Sequence, residues 1–259
     1  MSQPSAIELS LDRLTIRFGG LTAVDGLSFQ VRQGEIASLI GPNGAGKTSA
    51  FNAITGYIAP AAGSVSWRGR RLDGLKPHRI AELGVVRTFQ KTSVFAGLSV
   101  LDDVLIGLHL RSKQQPLAIL LGSGRVAAEE AALAAEAHGI LHFIGLAARA
   151  GQLASSLPYG DLRLLEVAIA LAAKPKLLLL DEPVCGLNPV ETAGFMQLID
   201  RIRGLGMTIL LVEHDMKMVM GVSDRIVCLN EGRVIAEGAP ADIQKHPEVV
   251  RAYLGRPRT

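Results

Sequence analysis

The octapeptide Gly41-Pro42-Asn43-Gly44-Ala45-Gly46-Lys47-Thr48 constrains what this chain can fold into more than any other stretch. It fits the phosphate-loop pattern G-x-x-x-x-G-K-[ST] in both spacing and residue type. The glycines let the backbone curl around a polyphosphate with successive N–H groups turned inward. The Lys47 ammonium reaches toward the β- and γ-phosphates, and the Thr48 hydroxyl suits Mg2+. Ahead of the loop, Glu35 to Ile40 reads as a short buried strand. Behind it, Ser49 to Thr55 continues as a helix that Gly56 stops. That order matters, because the helix N-terminus supplies further N–H groups and partial positive charge. An ordinary glycine-rich turn needs neither the Lys-Thr pair nor this flanking order. The stretch implies a nucleoside triphosphate site.

Bulk properties narrow the setting. The 259 residues suffice for a large core, and 27 basic against 24 acidic residues leave no basic block that would suggest nucleic acid. No apolar run approaches the ~18 residues that span a bilayer, and Met1 to Ser5 carries no signal-peptide pattern. The 2 cysteines, Cys185 and Cys228, make neither a metal cluster nor a disulfide framework. These features predict a soluble intracellular protein that a partner must recruit if it works at a membrane.

Along the chain, Ile7 to Phe18 and Thr22 to Val31 read as strands broken at Gly19-Gly20, an antiparallel layer beside the phosphate-loop core. Ala61 to Leu72 reads as a further small β region, with Gly63 and Gly69 at turns and Val65 and Trp67 inward. Gly84 to Gln90 is a β-rich run ending on an amide. The character changes between Lys91 and Ser156. Ser99 caps a helix from Val100 to Leu110, Gln114 to Ser123 interrupts it, and Ala127 to Ile144 is strongly helix-favouring. This predicts an inserted helical subdomain over about 91–161, within one domain of 1–259 whose nucleotide-binding core comprises 1–90 and 162–259. His138 and His142 have metal-ligand spacing but no third ligand, so no metal is expected there.

After Leu157-Pro158-Tyr159-Gly160-Asp161 comes a helix from Leu162 to Ala173, apolar on most faces. Lys176 to Leu180 is a buried strand ending in Asp181-Glu182. Asn188, Pro189 and Glu191 have the pattern of a capped helix start, and Phe195, Leu198, Ile199 and Ile202 mark its inner face up to a stop at Gly204. Met207 to Val212 is a strand ending in Glu213-His214. A hairpin around Asn230 to Gly232 and two short helices close the chain. The fold class is therefore α/β: a phosphate-loop NTPase core, an antiparallel β subdomain and an inserted α-helical subdomain.

In an open parallel sheet, ligands bind at the carboxyl ends of the strands. The phosphate loop, Asp181-Glu182 and His214 all sit at such ends and should converge. Asp181 suits Mg2+ with Thr48, and Glu182 is placed to deprotonate a water attacking the γ-phosphate. His214 suits donation to that phosphate, and Gln90 suits the same water or metal. Phe18 has two readings on position alone: a core phenylalanine, or an exposed ring stacked on an adenine.

This ordered set (Phe18, the phosphate loop, Gln90, Leu157 to Asp161, Asp181-Glu182, Gly186-Leu187-Asn188 and His214) resembles the ATPase subunits of ABC transporters over nearly the whole chain. A narrower likeness, carried by Arg87-Thr88-Phe89-Gln90, Tyr159-Gly160, Gly186-Leu187-Asn188-Pro189, Glu213-His214-Asp215-Met216 and Arg251-Ala252-Tyr253-Leu254-Gly255, is to LivG-type ATPases of branched-chain amino acid importers. The resemblance implies Mg2+ and ATP as cofactors, with Phe18 stacked on the adenine, Val24 among the nucleotide contacts and Gly41 to Ser49 around the phosphates. Lys47, Glu182, His214 and Gln90 would be catalytic, and Thr48, Gln90 and Asp181 would hold Mg2+. Leu157, Pro158, Tyr159, Gly160 and Asp161 would be the signature offered to the nucleotide of a second ATPase subunit, a different chain. Two transmembrane permease subunits and, indirectly, an extracytoplasmic substrate-binding protein complete the expected assembly at the cytoplasmic face of the inner membrane. Nucleic acid is not expected.

The chain departs from that pattern in places. Pro158 stands where a serine is usual and offers neither hydroxyl nor N–H. What remains is the Gly160 N–H and the following helix dipole, so the signature is expected to stabilise less. Asp161 replaces a glutamine or glutamate, and Leu164 and Ile169 stand where arginines are common. The same machinery would also serve urea, amide or lipopolysaccharide transport. A soluble ABC protein acting on DNA or ribosomes would need coiled coils or tandem modules, and a small-molecule kinase would leave the signature and His214 unexplained.

Overall fold

The computed structural model describes residues 6–88, 95, 97–109 and 124–254. Gln90 and the interruption expected at 114–123 lie outside them.

Strands β3 (Ile36–Ile40), β7 (Leu177–Asp181) and β8 (Thr208–Val212) are buried at every position. They read as continuous apolar runs because both faces are covered, as parallel sheets require. With β6 (Val85–Arg87), β9 (Arg225–Asn230) and β10 (Arg233–Gly238) they form a six-stranded sheet of order β10-β9-β3-β8-β7-β6. All neighbours are parallel except the β9–β10 hairpin. The carboxyl ends of β3, β8 and β7 therefore lie side by side.

Strand pleating distributes side chains to two cores. Leu177, Leu179, Leu210 and Val212 face a second, antiparallel sheet of order β2-β1-β4-β5. Its members are β1 (Ile7–Phe18), β2 (Leu21–Arg32), β4 (Ala62–Trp67) and β5 (Arg70–Arg71). Helix α1 (Lys47–Ile54) shares this core through Phe51 and Ile54. Leu178, Leu180, Ile209 and Leu211 face the opposite way. They pack with α3 (Val100–His109), α4 (Gly124–Ile144), α5 (Tyr159–Ala172) and α6 (Pro189–Gly204). The helical insert thus shares one continuous core with the sheet, and α5 belongs to both.

Local signals explain most boundaries. The Asn188 side chain accepts from Val190 and Glu191 N–H while Glu191 returns to the Asn188 N–H, a complete capping box with Pro189 at the first turn. Ser99 and Asp102 exchange equivalent bonds at the start of α3. Some details differ from expectation. Gly204 is still helical, and the turn is made at Gly206, whose φ of 83° suits glycine. Gly63 lies inside β4 rather than at a turn, where a Cβ would come within 2.3 Å of the Arg13 carbonyl. Helices α2 (Pro77–Glu82) and α7 (Met216–Val222) were not anticipated, being too short to show a period; α7 is announced only by its Asp215 cap. Helices α8 (Pro240–Lys245) and α9 (Pro247–Leu254) close the chain as expected. His138 and His142 are both exposed on α4. Among the described residues no helix is long and apolar enough to cross a membrane.

Candidate functional site

The phosphate loop is built by close backbone approach. Gly41 has φ 150°, and a Cβ there would meet the Leu229 carbonyl of β9 at 2.2 Å. Gly46, at φ 102°, would meet the Ala23 carbonyl of β2 at 2.5 Å. Only glycine fits between these two walls. The Gly232 N–H donates to the Ala45 carbonyl at 3.1 Å, so the β9–β10 turn braces the loop from outside. Lys47 is buried, and its ammonium donates to the Gly41 and Pro42 carbonyls at 2.6 and 3.0 Å. Burial lowers its pKa, while the nearby Glu182, Cys228 and Asp181 oppose that shift. Asn43, Gly44 and Thr48 are exposed at the loop mouth, and α1 has no acidic residue in its first turn to oppose an anion.

At the end of β7, Asp181 is buried while Glu182 turns out of the strand with φ 48°, leaving its side chain 22% exposed. At the end of β8, His214 presents Nδ1 3.9 Å from Glu182 Oε1. A carboxylate and an imidazole thus approach each other at the ends of adjacent strands, beside the loop that follows β3.

The sequence reading missed the partner that holds Asp181. Arg87, at the end of β6, donates to Asp181 Oδ2 at 2.5 Å and to Asn52 Oδ1 at 2.7 Å, and stacks over the Phe51 ring. Both members of the ion pair are nearly inaccessible. Burial raises the Asp181 pKa; the Arg87 hydrogen bond and charge pull it back, Glu182 adds to the rise, and Lys47 opposes it. The one available signal was an arginine in an otherwise apolar strand, which demands a buried counter-charge.

Phe18 lies at the end of β1 with 48% of its surface exposed, so the core reading is excluded. Val24 is fully buried, and its Cγ2 would sit 3.1 Å from a Cβ at Gly46. It therefore packs against the phosphate loop at Gly46.

The signature segment sits elsewhere, at the start of α5. Pro158 is the N-cap residue and makes no side-chain cap, while Leu157 is buried and Tyr159 exposed. Asp161 pairs with Arg149 at 2.8 Å. Tyr159 accepts from Arg163, which is in turn paired with Glu166 inside the helix packing. Helix α5, expected to be apolar on most faces, also carries a buried ion pair. Tyr159 also closes on the loop after β7: a Cβ at Gly186 would lie 2.9 Å from its ring.

The donor set fits a hydrated divalent cation. Asp181 Oδ1 is buried without a hydrogen-bond partner among the described residues, an orphan a cation would satisfy directly or through water. Thr48 offers an exposed hydroxyl in the first turn of α1.

Comparison with known proteins agrees. Residues 24–185 match the ABC transporter family, and residues 233–258 match the branched-chain amino acid ATP-binding cassette transporter family. The chain is 45% identical over 256 residues to the high-affinity branched-chain amino acid transport ATP-binding protein LivG of Salmonella typhimurium, covering 98% of this chain and 99% of that protein. It is 44% identical to LivG of Escherichia coli K12 over 256 residues, with the same coverage, and 41% identical to BraF of Pseudomonas aeruginosa over 256 residues, covering 98% and 99%. Among solved structures it resembles a nucleotide-free ATP-binding cassette from an ABC transporter, with a TM-score of 0.85 and 29% identity over 97% of this chain and 100% of that one. It also resembles cbiO1 from Clostridium perfringens, with a TM-score of 0.80 and 25% identity over 96% and 95%. With glycine walls shaping a phosphate loop and an acid–histidine pair beside it, the chain belongs to the ABC transporter family as an ATP-binding, ATP-hydrolysing cassette that works with membrane permease components.

Proposed function

We propose that this cassette energises the import of branched-chain amino acids from the cytoplasmic face of the inner membrane. Two permease subunits, a second and different ATPase chain and an extracytoplasmic binding protein would complete the system. The observation that carries the catalytic part is the 3.9 Å approach of His214 to Glu182 at adjacent strand ends. In this reading Gly41 to Ser49 wrap the phosphates, Phe18 stacks on the adenine, and Lys47 exchanges its carbonyl partners for phosphate oxygens. Glu182 takes the proton of the attacking water, and His214 donates to the γ-phosphate as charge develops. Thr48, Asp181 and Gln90 would hold Mg2+, which neutralises charge on the phosphates.

Leu157 to Asp161 would face the nucleotide bound by the second ATPase, with Gly160 N–H and the α5 dipole as its contribution. For the permease contact, a cleft of about 520 Å3 opens between the core and α5. It is lined by Tyr57, Ile80, Val85, Val86, Ile169 and Ala170 beside β6, the strand that leads toward Gln90. An apolar cytoplasmic segment of a permease fits such a surface. The cargo assignment is supported by the LivG and BraF relatives and by the match at residues 233–258.

Purification of the tagged chain in mild detergent tests this reading. Polytopic permeases and a second cassette are expected to co-purify, and vesicles of that assembly should accumulate leucine, isoleucine and valine with ATP. Uptake of urea or an amide instead would retain the ATPase and replace the cargo. Phosphate transfer to a small acceptor by the isolated chain would overturn both.

A further inference from the structure

Glu213 is a fully buried carboxylate that the catalytic scheme does not use. It directly follows β8 and precedes His214. Its Oε1 accepts the main-chain N–H of Val184 at 3.1 Å, and its Oε2 accepts the N–H groups of His214 at 2.7 Å and Asp215 at 3.1 Å. Val184 belongs to the turn that follows Glu182, closed by the Cys185 N–H donating to the Glu182 carbonyl at 3.2 Å. The Glu182 N–H donates to the Val212 carbonyl at 2.8 Å, so the two strand ends are stitched on both sides of the carboxylate. One side chain thus holds the loop bearing the base and the loop bearing the histidine.

We propose that Glu213 is a positioning residue for ATP hydrolysis, clamping the Glu182–Cys185 turn to His214 so that base and donor keep their spacing. The geometry has features that plain satisfaction of buried N–H groups would not need. The bonds split between two loops rather than serving one. His214 itself is half exposed, with 53% of its side chain accessible, and its Nδ1 lies 3.8 Å from Glu213 Oε2, so its place depends on this carboxylate more than on packing. A carboxylate is also the only side-chain group with acceptors at both ends. Glutamine in the same place must turn its NH2 toward either Val184 N–H or the His214–Asp215 pair, setting donor against donor and releasing one loop. The turn also leads to Gly186, which lies against Tyr159, so the clamp connects His214 with the segment this chain would lend to another subunit.

The inference rests on the role proposed for His214, and the test separates the two. Steady-state ATP turnover is measured in the assembled complex for Glu213→Gln, His214→Ala and the double variant. Nucleotide affinity of the full chain is measured with a fluorescent ATP analogue, and folding by thermal midpoint. Glu213→Gln is expected to lower kcat about tenfold with the dissociation constant unchanged within twofold, because the hydrogen bonds of Glu213 go to Val184, His214 and Asp215 and not to the phosphate loop. The double variant should be no more than twofold slower than His214→Ala, since the spacing the clamp keeps has no second member once the imidazole is gone. Turnover of Glu213→Gln within twofold of the parent, losses that multiply in the double variant, or a fall in affinity as large as the fall in kcat would each overturn the clamp. An active His214→Ala would instead remove the histidine reading on which it stands. Should Glu213→Gln not fold, Glu213→Asp, which keeps both acceptors but withdraws them by one methylene, carries the same measurements.

Discussion

The two parts of this chain proposed to meet nucleotide are built in opposite ways. The phosphate-loop half rests on the ends of three fully buried strands, with each polar group held by another: Lys47 by loop carbonyls, Asp181 by Arg87, and the His214 backbone by Glu213. The signature half is the first turn of one helix, where Pro158 supplies neither cap nor donor and Tyr159 is exposed. The first half is preorganised and needs little reorganisation when charge develops. The second offers a helix dipole and little else. In the proposed scheme chemistry is therefore concentrated in the half this chain keeps, and the half it would lend contributes mainly closure.

The sharpest way to break this contrast is to remove the base. Glu182→Gln is expected to reduce ATP turnover of the assembled complex a hundredfold or more, the range of a positioned general base. Phosphate release measured under saturating ATP checks it. Unchanged turnover would move the base to another residue and dissolve the distinction.

A smaller effect should follow from Arg87→Met, read as stability. It leaves the buried Asp181 without its counter-charge, at a cost of about 3 kcal/mol. Asp181 already has a raised pKa, and losing Arg87 raises it further. A carboxylate whose folded-state pKa is raised is stabilised by protonation. The deficit of the variant should accordingly be largest well above that pKa and shrink as pH falls through it. Urea unfolding from neutral to acidic pH measures this. A deficit independent of pH would mean that Arg87 acts by packing on Phe51 rather than by charge.

The smallest effect belongs to the weaker half. Pro158→Ser restores an N–H and a hydroxyl at the start of α5, gaining about 1 kcal/mol at best. Turnover of the assembled complex should rise about two- to fivefold with the chain's own nucleotide affinity unchanged. No rise would show that Gly160 and the helix dipole already suffice.

Much of this was readable beforehand, for identifiable reasons. The phosphate loop, the Asp181-Glu182 strand end and the Asn188–Glu191 capping box are local patterns whose chemistry depends on residues a few positions apart. The buried strands announced themselves because two-sided burial leaves unbroken apolar runs. Helices of 6 and 7 residues left no periodic trace, and Gly204 looked like a stop because glycine type, unlike backbone conformation, is all a sequence displays. Phe18 could not be assigned to core or surface from its position at the end of β1.

The sequence by itself determined the fold class and the triphosphate loop, and it singled out Glu182, His214 and Asp181 as the candidate base, donor and metal carboxylate, since each lies in a contiguous motif. Only the tertiary structure decided what holds them. Arg87 reaches Asp181 across 94 positions and Glu213 reaches Val184 across 29, through strands that are neighbours in the sheet but distant in the chain. A buried charge declares that it needs a partner; strand order alone decides which residue stands opposite it.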